Sequence, residues 1–189
     1  MLPAPAAAIA SADARSTCPA HCRATGRGSI VRASHATSFT PPPMSPDLKP
    51  GITHRFTYTV PDSKTVPKLY PEFAEFQQMP EVFATGFLVG LMEGACQLAI
   101  KPYLDWPTEQ SVGTHVDFSH LAATPPGMTV TVDCEVVAVD GRKVSFMARA
   151  HDGHDLISEG QHERMVIDAA RFNRKLAEKR ERSADKARP

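Results

Sequence analysis

One carboxylate stands alone in an apolar run. In VFATGFLVGLMEGACQLAI, residues 82–100, Glu93 is the single formal charge. A buried carboxylate must be paired, hydrogen-bonded or protonated. Glu93 therefore either caps backbone groups or meets a cation, or it serves as a general acid or base in a water-poor pocket. Thr85 lies eight residues earlier. On a regular helix that is about 12 Å along the axis and about 80° around it. The two share a broad face without touching, so a substrate or a third residue has to lie between them. Thr85-Gly86 falls in the first turns after Pro80. Free N–H groups there, with no side chain at Gly86, suit a developing oxyanion; the alternative is a threonine packing its methyl in the core.

His120 is the third candidate. Strict alternation puts it on one strand face with Val112, Thr114, Val116 and Phe118. It is either a hydrogen-bonded core residue or the group suited to proton transfer near neutral pH. Arg164 shares parity with His162 and Val166, and if buried it demands an anionic or strongly polar partner. No phosphate-binding glycine motif, HExxH or GxSxG elbow occurs. Cys18 and Cys22 flank His21, but one CxxxC is a weak metal signal, and no metal site is expected.

The elements that position these residues follow from pattern. THRFTYTV, residues 53–60, alternates as a strand, and residues 68–79 form an aromatic, proline-containing connector. Pro80-Glu81 can open a long apolar helix running to about Tyr103. A membrane span is disfavoured, because an acid near the centre costs about 2.5–3.5 kcal/mol. Four strands follow, at 111–122, 128–139, 142–151 and 156–167, with hairpin signals at Asp140-Gly141 and Asp152-Gly153. Val130, Val132, Cys134 and Val136 share one face, so Cys134 is a core residue. One buried helix with an antiparallel sheet around it is an α+β architecture. The helix is apolar nearly all round, so part of it must meet another surface, and self-association supplies one.

The chain has 189 residues, 42% hydrophobic and 22% charged, with 21 basic and 21 acidic side chains. That balance gives no global argument for nucleic acid or a membrane surface. Four dispersed cysteines favour a reducing compartment. Residues 1–43 hold four arginines, one acid and no hydrophobic period, and close on three prolines. They are either a mitochondrial presequence or an extraneous leader upstream of a start at Met44; the second is preferred, and with it a cytoplasmic location. The folded domain is expected over 44–175. Residues 176–189 belong to a basic tail, a terminal helix with a frayed end.

The segments PEVFATGFLVGLMEGAC, GTHVDFSHLAATPPGMTVTV and AHDGHDLISEGQHER, with HRFTYTVPDSKTV before them and RFNRKL after, resemble the fluoroacetyl-CoA-specific thioesterases and their relatives. The resemblance runs from about residue 50 to 175. It implies a hotdog fold, in which about five antiparallel strands wrap a long central helix, and a homodimer as the working unit. It carries the family's catalytic residues onto Thr85, Glu93 and His120. The glycine lining the acyl group falls on Gly113, and the arginine near the acyl pocket on Arg164. The implied reaction is hydrolysis of a short-chain acyl-CoA, with coenzyme A as part of the substrate and no separate cofactor. One departure bears on specificity. The family's phenylalanine gate falls on Met79 in an ungapped alignment, or on Phe76 if Gln77-Gln78-Met79 is an insertion. A flexible methionine fills that space less rigidly than an aromatic, so the departure bears on fluoroacetyl selectivity rather than on thioesterase activity. The alternative is a noncatalytic hotdog module that binds acyl-CoA or a protein partner.

Overall fold

The computed structural model describes residues 44–186. The leader 1–43, with both accounts of it and the Cys18–Cys22 motif, lies outside the described residues, as do residues 187–189. Five strands form one antiparallel sheet: β1 (Thr53–Thr59), β2 (Glu109–Phe118), β3 (Thr129–Asp140), β4 (Lys143–His151) and β5 (Leu156–Asp168). Their order is β1-β3-β4-β5-β2, so β1 and β2 are the edges. A short helix α1 (Ala74–Gln77) precedes the central helix α2 (Thr85–Ile100), and α3 (Ala169–Lys186) closes the chain. This is the expected α+β arrangement of one long helix against an antiparallel sheet.

Alternation in the strands decides which face meets α2. Val130, Val132, Cys134 and Val136 of β3 are buried, as are Val144, Phe146, Ala148 and Ala150 of β4. They pack against Leu88, Met92, Ala95, Cys96, Ala99 and Ile100, the inward arc of α2. The β3–β4 hairpin turns at Asp140-Gly141, where Gly141 takes a positive φ of 55° that other residues adopt reluctantly. Asp168 starts α3 by accepting a hydrogen bond from the Arg171 N–H at 2.7 Å, an N-cap contact. The basic tail from residue 176 thus begins inside a helix.

Two expectations are corrected. The helix begins at Thr85, five residues after Pro80. The intervening backbone is committed elsewhere: Val66 N–H donates to Val82 C=O, Phe83 N–H to Thr124 C=O and Ala84 N–H to Lys64 C=O. Those bonds seat the helix start between two loops. At the far end, α2 stops at Ile100 and a 3-10 turn, Lys101–Tyr103, continues it.

The second correction concerns β2. Gly113 lies opposite Arg164, but Val116 lies opposite His162, because the register shifts between Gly113 and His115. A bulge adds a residue and reverses the alternation. Ser111 and Gly113 therefore share the inner face with Val116 and Phe118, while Val112 and Thr114 do not.

Phe146 is fully buried at the centre of this packing. Phe146→Ala is expected to lower unfolding free energy by about 3–5 kcal/mol, whereas exposed Thr57→Ala changes it by less than about 0.5 kcal/mol. Urea titration of the two variants measures both values.

Candidate active site

The structure gathers the expected residues into two groups along α2. The first holds Thr85 and His120. His120 follows β2 in a segment pinned on both sides, since Ser119 N–H donates to Glu159 C=O and Leu121 N–H to Ile157 C=O. Its Nδ1 lies 2.8 Å from Thr85 Oγ1. With Nδ1 unprotonated the threonine hydroxyl donates to it, which is how a base activates a hydroxyl. His120 Nε2 is buried without a hydrogen-bond partner among the described residues.

Thr85 is the first residue of α2, so its N–H belongs to the unsatisfied first turn. Phe87 and Leu88 N–H groups both donate to Ala84 C=O, while the Thr85 and Gly86 amides have no backbone acceptor among the described residues. The space over Gly86 is taken by this chain itself: a Cβ there would come 3.2 Å from Leu69 Cδ1. The missing side chain at Gly86 thus lets the connector before α2 settle on the helix.

The second group centres on Glu93, whose side chain is 37% exposed, and Arg164, at 3%. Arg164 Nη1 donates to Glu93 Oε1 at 2.8 Å. Arg164 Nε donates to Ser111 Oγ at 2.9 Å and Nη2 to Ser111 C=O at 2.8 Å. Nη1 also donates to His162 Nε2 at 3.1 Å. The guanidinium is thus held on three sides, and its anionic partner is Glu93. Gly113 closes the group. A Cβ at this position would fall 2.6 Å from Glu93 Oε1 and 3.1 Å from His162 Cε1. Only a residue without a side chain lets the β2 backbone lie against the carboxylate.

Ser111 and His162 belong to this group, and neither was singled out from sequence. The available signal was the glycine inside a strand, which marks a bulge or a close backbone approach. Taking it as a bulge puts Ser111 on the inner face opposite the last strand.

The aromatic connector places the two gate candidates differently. Phe76 is half-buried, its ring 5.8 Å from Phe73 and 6.1 Å from Tyr70. Met79 is 50% exposed on the turn after α1. Gln77 Nε2 donates to Pro67 C=O at 2.7 Å and pins that turn. A thiol nucleophile is disfavoured at this site. Cys96 and Cys134 are free and buried in the core, and their mutual hydrogen bond together with burial pushes the Cys96 thiol far up. Among the described residues no group of three or more His, Cys, Asp or Glu could hold a metal ion.

A long helix against a five-stranded antiparallel sheet carries a hydroxyl–imidazole pair near its start and an arginine-held carboxylate two turns further on. Comparison with known proteins gives the family. The family model described as fluoroacetyl-CoA-specific thioesterase matches residues 65–170. A fluoroacetyl-CoA thioesterase from Streptantibioticus cattleyicolor is 54% identical over 130 residues, 68% of this chain and 93% of that protein. A solved point variant of the fluoroacetyl-CoA-specific thioesterase, in complex with fluoroacetate and CoA, is 52% identical with a TM-score of 0.64. The match covers 66% of this chain and 99% of that one. A Thermus thermophilus member of the thioesterase superfamily is 28% identical with a TM-score of 0.64, over 72% and 96% of the two chains. The chain belongs to the fluoroacetyl-CoA-specific thioesterase family.

Gly113→Ala tests the close approach. The added methyl has to displace Glu93 or the bulge, so a destabilisation of about 1–3 kcal/mol is expected from overpacking. Calorimetry of the variant beside Gly90→Ala, whose Cβ meets nothing within 4 Å, isolates the effect.

Proposed function

We propose that the chain hydrolyses short-chain acyl-CoA thioesters, with fluoroacetyl-CoA, the substrate named for its relatives, among those it accepts. The observation that carries this is the placement of Thr85–His120 and Glu93–Arg164 two turns apart on α2, with the Gly113 backbone against Glu93. In this reading the thioester lies between the two groups. Thr85 and the first-turn amides polarise its carbonyl as negative charge develops on the oxygen. His120, bonded to Thr85, moves protons at the helix start, and Glu93 directs the attack from the other side. The C–S bond breaks, a C–O bond to water-derived oxygen forms, and CoA leaves with the proton on sulfur. Direct attack by water and attack through a covalent intermediate on Thr85 or Glu93 share these roles. Arg164 orients Glu93, and Gly113 lets the β2 backbone lie against that carboxylate, so that a small acyl group would sit along the backbone there. Phe76, with Met79 beside it, covers the acyl end. Coenzyme A enters as substrate, and the chemistry calls for no resident cofactor or metal.

A homodimer is the working unit in this reading. Three features support it: β2 lies at the sheet edge, Val116 and Leu98 are large apolar residues left exposed, and Gly90, over which a Cβ would meet nothing within 4 Å, leaves that part of the outer side of α2 open. Tyr58, Lys64, Phe83, Phe87 and Leu91 line a hollow of about 260 Å³ beside Gly86 and Gly90. No helix among the described residues is long and apolar enough to cross a membrane. The cytoplasm is the compartment proposed, on the dispersed cysteines of the sequence.

Release of free CoA from acetyl-, fluoroacetyl-, propionyl- and longer acyl-CoA tests the reading. The wild type is expected to cleave the short thioesters, and Glu93→Ala and His120→Ala each to lose at least about 100-fold in kcat/KM, the scale of a lost acid–base group. No cleavage above background would remove the enzyme reading and leave a noncatalytic acyl-CoA-binding module. A fluoroacetyl-to-acetyl ratio near one would leave a general thioesterase. Light scattering at the expected dimer mass, or at the monomer mass, decides the assembly.

A further inference from the structure

The buried network under Glu93 contains one titratable group that the mechanism above does not use. We infer that His162 is a positioning residue for the thioesterase reaction: its imidazole ties the β2 bulge to Arg164 and so fixes the Glu93 carboxylate against Gly113. The inference rests on the thioesterase reading for its kinetic consequence, and on geometry alone for the link itself.

Arg164 Nη1 carries two hydrogens. Its shorter contacts are Glu93 Oε1 at 2.8 Å and His162 Nε2 at 3.1 Å, with the Glu93 backbone carbonyl at a longer 3.5 Å, and a guanidinium nitrogen can only donate. The imidazole must therefore offer a lone pair at Nε2. Its Nδ1 lies 2.7 Å from the backbone carbonyl of His115, an acceptor, so Nδ1 must carry the hydrogen. Both ring nitrogens are thus assigned by their partners, and the ring is the neutral Nδ1–H tautomer. His115 is the first residue after the register shift in β2. One side chain therefore spans from the bulge that presents Gly113 to the cation that aims Glu93. The ring is completely buried, with Phe118 at 6.0 Å and Phe146 at 6.3 Å between centroids.

The charged surroundings set its response to pH. Burial is the main cause that pushes the His162 pKa below its ordinary value, and the Arg164 cation on the same strand adds to it. The His115 carbonyl and the Glu93 carboxylate from α2 act against that, and the His115 imidazole from β2 acts with it. From β4 it meets the uncharged Phe146. Unfolded chains take up the proton near pH 6.5 and the folded chain only below that. Stability from neutral His162 is therefore full above about pH 6.5 and is lost as pH falls through the folded pKa. Protonation would set an Nε2–H against the Arg164 N–H and release Arg164 from its fixed angle.

A merely space-filling histidine predicts a change in stability alone. The positioning role predicts a loss in kcat that a hydrogen-bonding substitute restores. Wild type, His162→Phe and His162→Gln are assayed on the thioester that the wild type cleaves fastest. His162→Phe is expected to lose about 100-fold in kcat with KM within about threefold, the scale of an ångström-sized misplacement. His162→Gln can still accept from Arg164, and it is expected to recover at least about tenfold of that loss. A kcat for His162→Phe within about threefold of wild type would overturn the inference, as would a His162→Gln no better than His162→Phe. Ring nitrogen-15 NMR of the wild type tests the link independently of turnover and of whether either variant folds. The neutral Nδ1–H tautomer at pH 7 is expected, with protonation only below the ordinary value near 6.5, and an Nε2–H tautomer overturns the link. A wild type that cleaves no thioester would instead count against the function.

Discussion

A guanidinium that is almost wholly buried has to find its negative charge within reach, and the inner face of this sheet is arranged around that requirement. Arg164 projects from β5 toward α2, where Glu93 is the partner that satisfies it. Leaving such a cation unpaired would cost several kcal/mol. Ser111 takes two of its other donors, which fixes the plane of the guanidinium and hence the direction from which Glu93 is held. The acid that looks anomalous in an apolar helix is thus half of an ion pair. Its remaining exposure leaves the carboxylate partly open to a substrate.

That pairing only works because β2 is irregular. In a regular strand the residue opposite Arg164 would drive a Cβ into Glu93. Glycine at 113 removes the side chain, and the bulge restores the inward aim of Val116 and Phe118 beyond it. The edge position of β2 tolerates this disturbance, since its outer hydrogen bonds are not shared with a further strand of the same chain. At the other end of α2, backbone bonds to Lys64 and Thr124 set where the helix starts, and so where Thr85 meets His120. Packing between the inward arc of α2 and the valines of β3 keeps the two ends in a fixed relation.

Much of this was legible in the sequence. Val130 to Val136 alternates cleanly enough to orient β3, and a single charge in nineteen residues marks Glu93 as unusual. The segments around Thr85, His120 and Arg164 carry the family resemblance. What was hidden depends on contacts between segments far apart in the chain. The helix start slipped from Pro80 to Thr85 because residues 82–84 bond to loops at 64–66 and 124, which local propensity does not register. Strict alternation through Gly113 puts Val112 and Thr114 on the inner face and hides Ser111, because a bulge leaves no mark in the period itself. His162 sat in view within the HER segment, but its importance appears only once His115 and Arg164 are seen on either side of it.

The central claim is that one thioester spans the two groups on α2. A crystal structure with a non-hydrolysable acetyl-CoA thioether analogue tests it most directly. The account predicts the acyl group against Gly113, its carbonyl oxygen within hydrogen-bond distance of Thr85 Oγ1 or the first-turn amides, and the Glu93–Arg164 pair intact beside it. An analogue seated away from α2, or one that displaces Arg164 from Glu93, would contradict it.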